Sequence, residues 1–147
     1  MVRKASAVWN GSLKEGKGTI STESGVLSKA QYSFSTRFEN GVGTNPEELI
    51  AAAHAGCFTM ALSGQLTNAG LTPESLETTA AVTMEKLEAG FTITKVHLDV
   101  TAKVPGADQA AFDKAAANAK AGCPISRLLK AEITMTARLA GDRAVTA

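Results

Sequence analysis

Two cysteines, Cys57 and Cys123, are the residues of this sequence best suited to covalent chemistry, and it contains no others. Cys57 lies inside a long apolar segment, and Cys123 stands between Gly122 and Pro124, where one helix is predicted to end and another to begin. Free N–H groups at a helix N-terminus favour a reactive thiol. The alternative is two inert core side chains, because cysteine is among the most buried residue types. In a reducing compartment, where structural disulfides are rare, the pair fits a thiol–disulfide cycle.

His54 precedes Cys57 by three residues and shares its helix face. One interpretation is a base for a nucleophilic cysteine, as in a Cys–His hydrolase or acyl transferase. The other is a packed or interface histidine, which we favour because nothing else in the chain resembles a Cys-hydrolase signature. His54 and His97 show no ligand spacing relative to the cysteines, and the sequence has no CxxC motif. We therefore predict neither a metal nor a cofactor.

Arg37 and Glu47 are the charged residues that could support a reactive thiol. A thiolate in an apolar site needs a fixed positive charge nearby, and arginine keeps its proton. A carboxylate would be needed to hold the guanidinium still. The alternatives are a surface arginine and a glutamate that suits the positive end of a helix dipole.

The element that must position Cys57 is a helix predicted over residues 45–69. Asn45 can cap it, Pro46 fits its first position, and Gly70 offers a left-handed stop. Glu48 has the spacing of a capping box with Asn45. The middle of this segment is apolar around nearly its whole circumference, which is typical of a buried helix.

Strands are predicted on both sides of this helix. They cover residues 5–9, 16–22, 32–38, 76–87, 91–104 and 133–139. The alternation slips near Lys95, which indicates a β-bulge. Further helices are predicted over 108–121 and 124–130, and residues 142–147 look frayed. The pattern predicts an α+β fold, with two small antiparallel sheets around a long buried central helix.

Composition limits the class of protein. The chain has 147 residues, which is most simply one domain, with 44% hydrophobic residues and a net charge of +1. This charge does not favour a nucleic-acid or membrane partner. The N-terminus lacks the apolar run of a signal peptide, so we expect a cytoplasmic protein.

The spacing of Glu47 and Cys57 bears on the oligomeric state. Ten residues on a continuous helix give about 15 Å of rise, so Glu47 cannot touch Cys57 of its own chain. The apolar helix also has more surface than one small sheet can cover. We therefore expect a homodimer in which two such helices lie antiparallel and form two composite sites.

The segment 44–61, around Cys57, and the segment 121–126, Ala-Gly-Cys-Pro-Ile-Ser, resemble the signature of the OsmC/Ohr family. The resemblance covers the whole chain. Segments 17–25 and 130–134, together with Arg37-Phe38, are similar to the osmotically inducible OsmC branch. Gly56 departs from the pattern, in which alanine is expected.

This resemblance implies a cytoplasmic, stress-related, thiol-dependent peroxidase that reduces organic hydroperoxides, and hydrogen peroxide less readily. It implies an intertwined homodimer with active sites at the interface. Cys57 resembles the peroxidatic cysteine and Cys123 the resolving one, with an intrachain disulfide between them. Arg37 resembles the cation that activates Cys57, and Glu47 the carboxylate that orients it. An external thiol such as a dihydrolipoyl group would restore both cysteines. A non-catalytic dimeric binding module with inert cysteines is the remaining alternative.

Overall fold

The computed structural model describes residues 1–140, and the prediction of a frayed end over residues 142–147 lies outside them. The chain divides into two compact units, Met1–Leu49 and a second that begins at Ile50. Each unit contains a three-stranded sheet. The α+β prediction is confirmed, while the single domain over residues 1–147 stays a prediction.

The first unit is built on a small antiparallel sheet in the order β1-β2-β3. Its elements are β1 (Ala5–Asn10), β2 (Lys17–Thr22), β3 (Ala30–Tyr32) and helix α1 (Phe34–Phe38). Gly11 takes a φ of +101° directly after β1, a left-handed conformation that glycine adopts without steric cost. Gly18 is needed for close approach, because a Cβ there would lie 2.5 Å from ring atoms of both Trp9 and Tyr32.

Helix α1 corrects the prediction of a strand over residues 32–38. Ser33 caps it through a capping box, in which Ser33 and Thr36 each accept a hydrogen bond from the other's backbone N–H. The rings of Phe34 and Phe38, four residues apart, pack with centroids 4.9 Å apart. Alternation over so few residues also fits a spacing of four, and the capping side chains decide for the helix.

The central helix, α2, spans Pro46–Asn68. Asn45 caps it as predicted, since Glu48 N–H donates to Asn45 Oδ1 over 2.7 Å. The Glu48 side chain does not complete the box but accepts from the Thr44 hydroxyl. The predicted helix is thus confirmed, with its first turn fixed by side chains of the preceding loop.

Burial of α2 is confined to one stripe at a spacing of four. The fully buried residues of the helix are His54, Phe58, Leu62 and Leu66. Within one chain the other side of α2 stays uncovered, as expected from the sequence for a helix with more apolar surface than one small sheet can bury; Met60, for example, is 79% exposed. Within residues 1–140, α2 is also the one helix whose length and hydropathy would suit a membrane span, a test that core helices of soluble proteins pass too.

The second unit carries the sheet β4-β5-β6, formed by β4 (Ser75–Leu87), β5 (Gly90–Lys103) and β6 (Glu132–Leu139). β4 and β5 are antiparallel, and the register shifts where Thr83 faces Lys95 and Met84 faces Ile93. Thr94 is the extra residue, so the predicted bulge is confirmed. β5 and β6 pair in parallel, which corrects the prediction of antiparallel sheets: two helices intervene, and such a crossover returns the chain in the same direction.

The crossover consists of α3 (Gln109–Gly122) and α4 (Pro124–Leu128). Asp108 caps α3 by accepting from Ala111 N–H over 2.7 Å. Pro124 at the start of α4 leaves no backbone N–H to satisfy at that position. Cys123 is at once the C-cap of α3 and the N-cap of α4, so the sequence placed this cysteine correctly between two helices. The core of the unit combines α2, β5 and α3, and its fully buried members include Phe58, Leu98, Phe112 and Cys123.

Candidate active site

The two cysteines meet in the second unit. Cys123 Sγ lies 2.8 Å from Cys57 Sγ, although 66 positions separate them in sequence. Both are free thiols, and they differ in access: Cys57 is half-buried whereas Cys123 is fully buried. Of the two cysteines, Cys57 is therefore the one that a small molecule in solvent can approach.

The elements around the cysteines explain this placement. Cys57 lies on α2 next to the buried stripe that contains Phe58, so its side chain points along the edge of the core. Cys123 ends α3, whose buried face continues from Ala116 through Ala119. The turn at Cys123 then directs α4 back toward α2. The arrangement brings a thiol from each helix to one point.

The surroundings of Cys57 favour its neutral thiol. Burial raises the pKa of the Cys57 thiol above its ordinary value, and the neighbouring Cys123 adds to this through a hydrogen bond and through charge. A hydrogen bond with the backbone of Ile125, in the first turn of α4, acts in the opposite direction and lowers that pKa. A reactive thiolate therefore needs a further source of positive charge.

His54 is fully buried one turn before Cys57 on α2. Its Nε2 lies 2.7 Å from Ser126 Oγ on α4, and its Nδ1 has no hydrogen-bond partner within residues 1–140. Burial lowers the pKa of His54 below its ordinary value, so the ring is neutral at physiological pH. The ring is buried away from solvent, and its polar contact is made with Ser126.

Arg37 and Glu47 form a pair within the first unit. Arg37 Nε donates to Glu47 Oε1 over 3.1 Å, and Nη2 donates to Oε2 over 2.9 Å. The Glu47 side chain is 14% exposed and that of Arg37 is 39% exposed. Two parallel bonds fix the plane of the guanidinium as well as its position.

The junction of α1 and α2 holds this ion pair in place. Asn45 Nδ2 donates to Thr36 O over 3.0 Å, while Asn45 Oδ1 caps α2. One side chain thus joins the helix that carries Arg37 to the helix that carries Glu47 in its first turn. Arg37 was predicted on a strand; it lies instead in the last turn of α1, because the Ser33 cap starts a helix there.

The structure brings together the predicted residues in two pairs, Cys57 with Cys123 and Arg37 with Glu47. Sequence reasoning assigned no role to Ser126, the partner of His54. Its one signal is a matching offset, since His54 lies three residues before Cys57 and Ser126 three residues after Cys123. Within residues 1–140, no three His, Cys, Asp or Glu side chains are grouped as a metal site.

Comparison with known proteins agrees with the motifs. The family model described as OsmC-like protein matches residues 38–138. Peroxiredoxin OsmC of Escherichia coli is 57% identical over 137 residues, which cover 93% of this chain and 96% of that protein. An organic hydroperoxide resistance protein of Xanthomonas axonopodis pv. citri is 32% identical over 101 residues, 68% of this chain and 69% of that protein.

A solved structure shows the same fold. An OsmC-like protein of Vibrio cholerae matches with a TM-score of 0.75 over 93% of this chain and 99% of that chain, at 19% identity. This likeness concerns the fold alone, and the sequence relatives carry the assignment. The chain belongs to the OsmC-like protein family.

Proposed function

We propose that this protein reduces organic hydroperoxides through a disulfide cycle, with Cys57 as the attacking thiol and Cys123 as the resolving thiol. The observation that carries the proposal is the pair of free sulfurs 2.8 Å apart, one half-buried and one fully buried. Its sequence relatives, named peroxiredoxin and organic hydroperoxide resistance protein, support the same cysteine-based peroxidase activity.

In the first step the Cys57 thiolate attacks the distal oxygen of ROOH. The O–O bond breaks, Cys57 becomes a sulfenic acid, and the leaving alkoxide takes a proton to give ROH. In the second step Cys123 attacks the Cys57 sulfur, and the sulfenic hydroxyl leaves with the Cys123 proton as water. The protein is then oxidised by two electrons, and an external dithiol, for which we propose a dihydrolipoyl group, returns them.

Arg37 is the cation that we propose for the first step. The Cys57 pKa is raised by burial, so a guanidinium beside the sulfur would restore the thiolate and stabilise charge on the leaving oxygen. Glu47 holds that guanidinium through two hydrogen bonds. Both roles, which the sequence predicted, stay proposals.

A homodimer would complete the site. α2 is one helix from Pro46 to Asn68, so Glu47 and Cys57 of one chain are separated by about 15 Å of helical rise. The unburied side of α2, with Gly56 and exposed Met60, leaves apolar surface that a second copy would cover. We propose that the Arg37–Glu47 pair of each protomer serves Cys57 of its partner, in a cytoplasmic dimer.

Thiol titration tests the function directly. Before and after one equivalent of cumene hydroperoxide, the wild-type chain should lose two thiols without forming a cross-linked dimer. Cys57→Ser should consume no hydroperoxide. Cys123→Ser should complete one turnover, form a sulfenic acid at Cys57, and fail to cycle with a dithiol.

Two other outcomes would refute the proposal. Turnover of an acyl substrate that needs His54 and not Cys123 would indicate a Cys–His hydrolase. This alternative is not favoured, because His54 Nε2 is bonded to Ser126. Slow thiol labelling and unchanged thiol counts after peroxide would indicate a binding module with inert cysteines.

A further inference from the structure

A partly buried polar contact joins α2, which carries Cys57, to α4, which begins directly after Cys123. His54 Nε2 on α2 lies 2.7 Å from Ser126 Oγ on α4. His54 is one helical turn before Cys57, and Ser126 is one turn after Cys123. The contact therefore runs beside the sulfur–sulfur contact and connects the same pair of helices.

Helix α4 is held by few contacts: Ile125 packs against the core, the Ile125 backbone bonds to Cys57, and Ser126 bonds to His54. It is five residues long and contains no buried residue. So short a helix has no independent stability, and its position depends on specific contacts. The His54–Ser126 hydrogen bond is such a contact, and it acts at the middle of the helix.

His54 is an energetically costly residue at this buried position. Its Nδ1 is buried and has no hydrogen-bond partner within the described part of the chain, and such an atom costs stability. Phenylalanine would fill a similar volume without that cost. Unlike an apolar ring, however, the imidazole can form a directed hydrogen bond with Ser126.

We infer that His54 and Ser126 are positioning residues for the second step of the proposed cycle, holding α4 so that Cys123 Sγ stays within reach of the Cys57 sulfenic acid. The inference rests on the proposed function. In that step the S–S bond forms, the S–O bond breaks, and water leaves. Its rate depends on the placement of two sulfurs, and small displacements of reacting groups are costly. Attack on peroxide at Cys57 does not involve the Cys123 sulfur, and α4 bears on that step only through the hydrogen bond between the Ile125 backbone and Cys57.

Ser126→Ala tests this inference, with Ser126→Thr as the conservative rescue. The control is Thr78→Val, which removes a hydroxyl that lies 2.8 Å from Thr59 Oγ1 and joins α2 to β4 instead of α4. Rapid mixing with cumene hydroperoxide gives the rate of peroxide loss. Trapping with dimedone, followed by mass spectrometry, gives the lifetime of the sulfenic acid before the disulfide closes.

The expected result separates the two steps. Ser126→Ala should close the disulfide more slowly, by about tenfold or more, and this slowing should exceed any change in the rate of peroxide loss that follows from the Ile125 contact with Cys57. Ser126→Thr should restore closure, and Thr78→Val should close at the wild-type rate. Equal closure rates in Ser126→Ala and wild type would overturn the inference. Slowing of both steps, matched by Thr78→Val, would show general loosening and overturn it as well.

His54→Phe provides a second variant that does not depend on the folding of Ser126→Ala. It removes the bond and the unpartnered nitrogen while keeping the volume filled, so the protein should fold. We expect disulfide closure to slow by a larger factor than peroxide loss. Closure at the wild-type rate in this variant would also refute the inference. If the wild-type chain forms no sulfenic acid, the proposed function fails; if it closes at the same rate as both variants, only the positioning role fails.

Discussion

Oxidation by hydroperoxide should make this protein markedly more stable. Cys57 and Cys123 are 66 positions apart in sequence, and their sulfurs already lie 2.8 Å apart in the reduced chain. A covalent link removes loop-closure entropy from the unfolded chain, and for a loop of this length the gain is about 4 kcal/mol. The native fold needs little rearrangement to form the link, so most of this gain should be realised.

The assay compares unfolding of the reduced chain with that of the chain treated with one equivalent of cumene hydroperoxide. For a domain of this size the gain corresponds to a rise in Tm of about 10 °C. Protein concentration must be equal in both samples, because association also shifts Tm. Cys123→Ser, treated in the same way, is the control and should gain nothing.

Two results would refute this reasoning. A gain below about 1 kcal/mol would mean that no long loop is closed within the chain. An equal gain in Cys123→Ser would mean that the stabilisation comes from something other than the disulfide. A non-reducing gel distinguishes an intrachain link, which leaves the monomer band in place, from a cross-link between chains.

Three further predictions concern the surrounding residues. Arg37→Ala should move the pH midpoint of the peroxide step upward, because burial already raises the Cys57 pKa and loss of the cation should raise it further. Each further pKa unit lowers the thiolate fraction at a given pH about tenfold. Glu47→Gln should cause a smaller shift, and an unchanged pH–rate profile in both variants would exclude a role of this ion pair in the peroxide step. Because burial lowers the His54 pKa below 6.5, the unfolded chain gains a proton first as pH falls. The free energy of unfolding should then decline by about 1.4 kcal/mol per pH unit below that value, until the folded-state pKa is reached. Urea titrations at several pH values should show that this decline is absent in His54→Phe. Equal pH dependence of the unfolding free energy in both proteins would contradict the prediction. Met60→Glu should shift sedimentation toward the monomer and reduce peroxidase activity, whereas an intact dimer would argue against α2 as its interface.

The elements that could be predicted from sequence are those with local signals. The Asn45 cap and the apolar segment indicate α2, the slip in alternation indicates the bulge at Thr94, and Pro124 indicates the start of α4. Each depends on residues a few positions apart. These signals were sufficient to place both cysteines on the correct elements.

The features that sequence reasoning missed depend on choices that local pattern does not make. Helix α1 was missed because Phe34 and Phe38 fit a strand as well as a helix, and the Ser33–Thr36 box was overlooked. The parallel pairing of β5 with β6 follows from the path of the intervening helices. Ser126 was missed because its partner is 72 positions away.

Some of the site could be anticipated from the residue types together with the family resemblance. With only two cysteines present, a disulfide cycle within one chain required Cys57 to meet Cys123. The pairing of Arg37 with Glu47 was implied by the family resemblance, because the residues alone left a surface arginine and a helix-start glutamate as alternatives. The distribution of these residues between protomers remains a prediction, because no local pattern specifies a partner chain.

In the cycle that we propose, the unequal burial of the two cysteines gives regeneration by a dithiol a fixed direction. In the oxidised protein an incoming dithiol meets the Cys57 sulfur, since Cys123 is sealed in the core. The mixed disulfide therefore forms at Cys57, and Cys123 departs as the inner thiol. The oxidant and the electron donor would both react at the Cys57 sulfur, so the hydroperoxide and the dithiol should compete for access to the same atom.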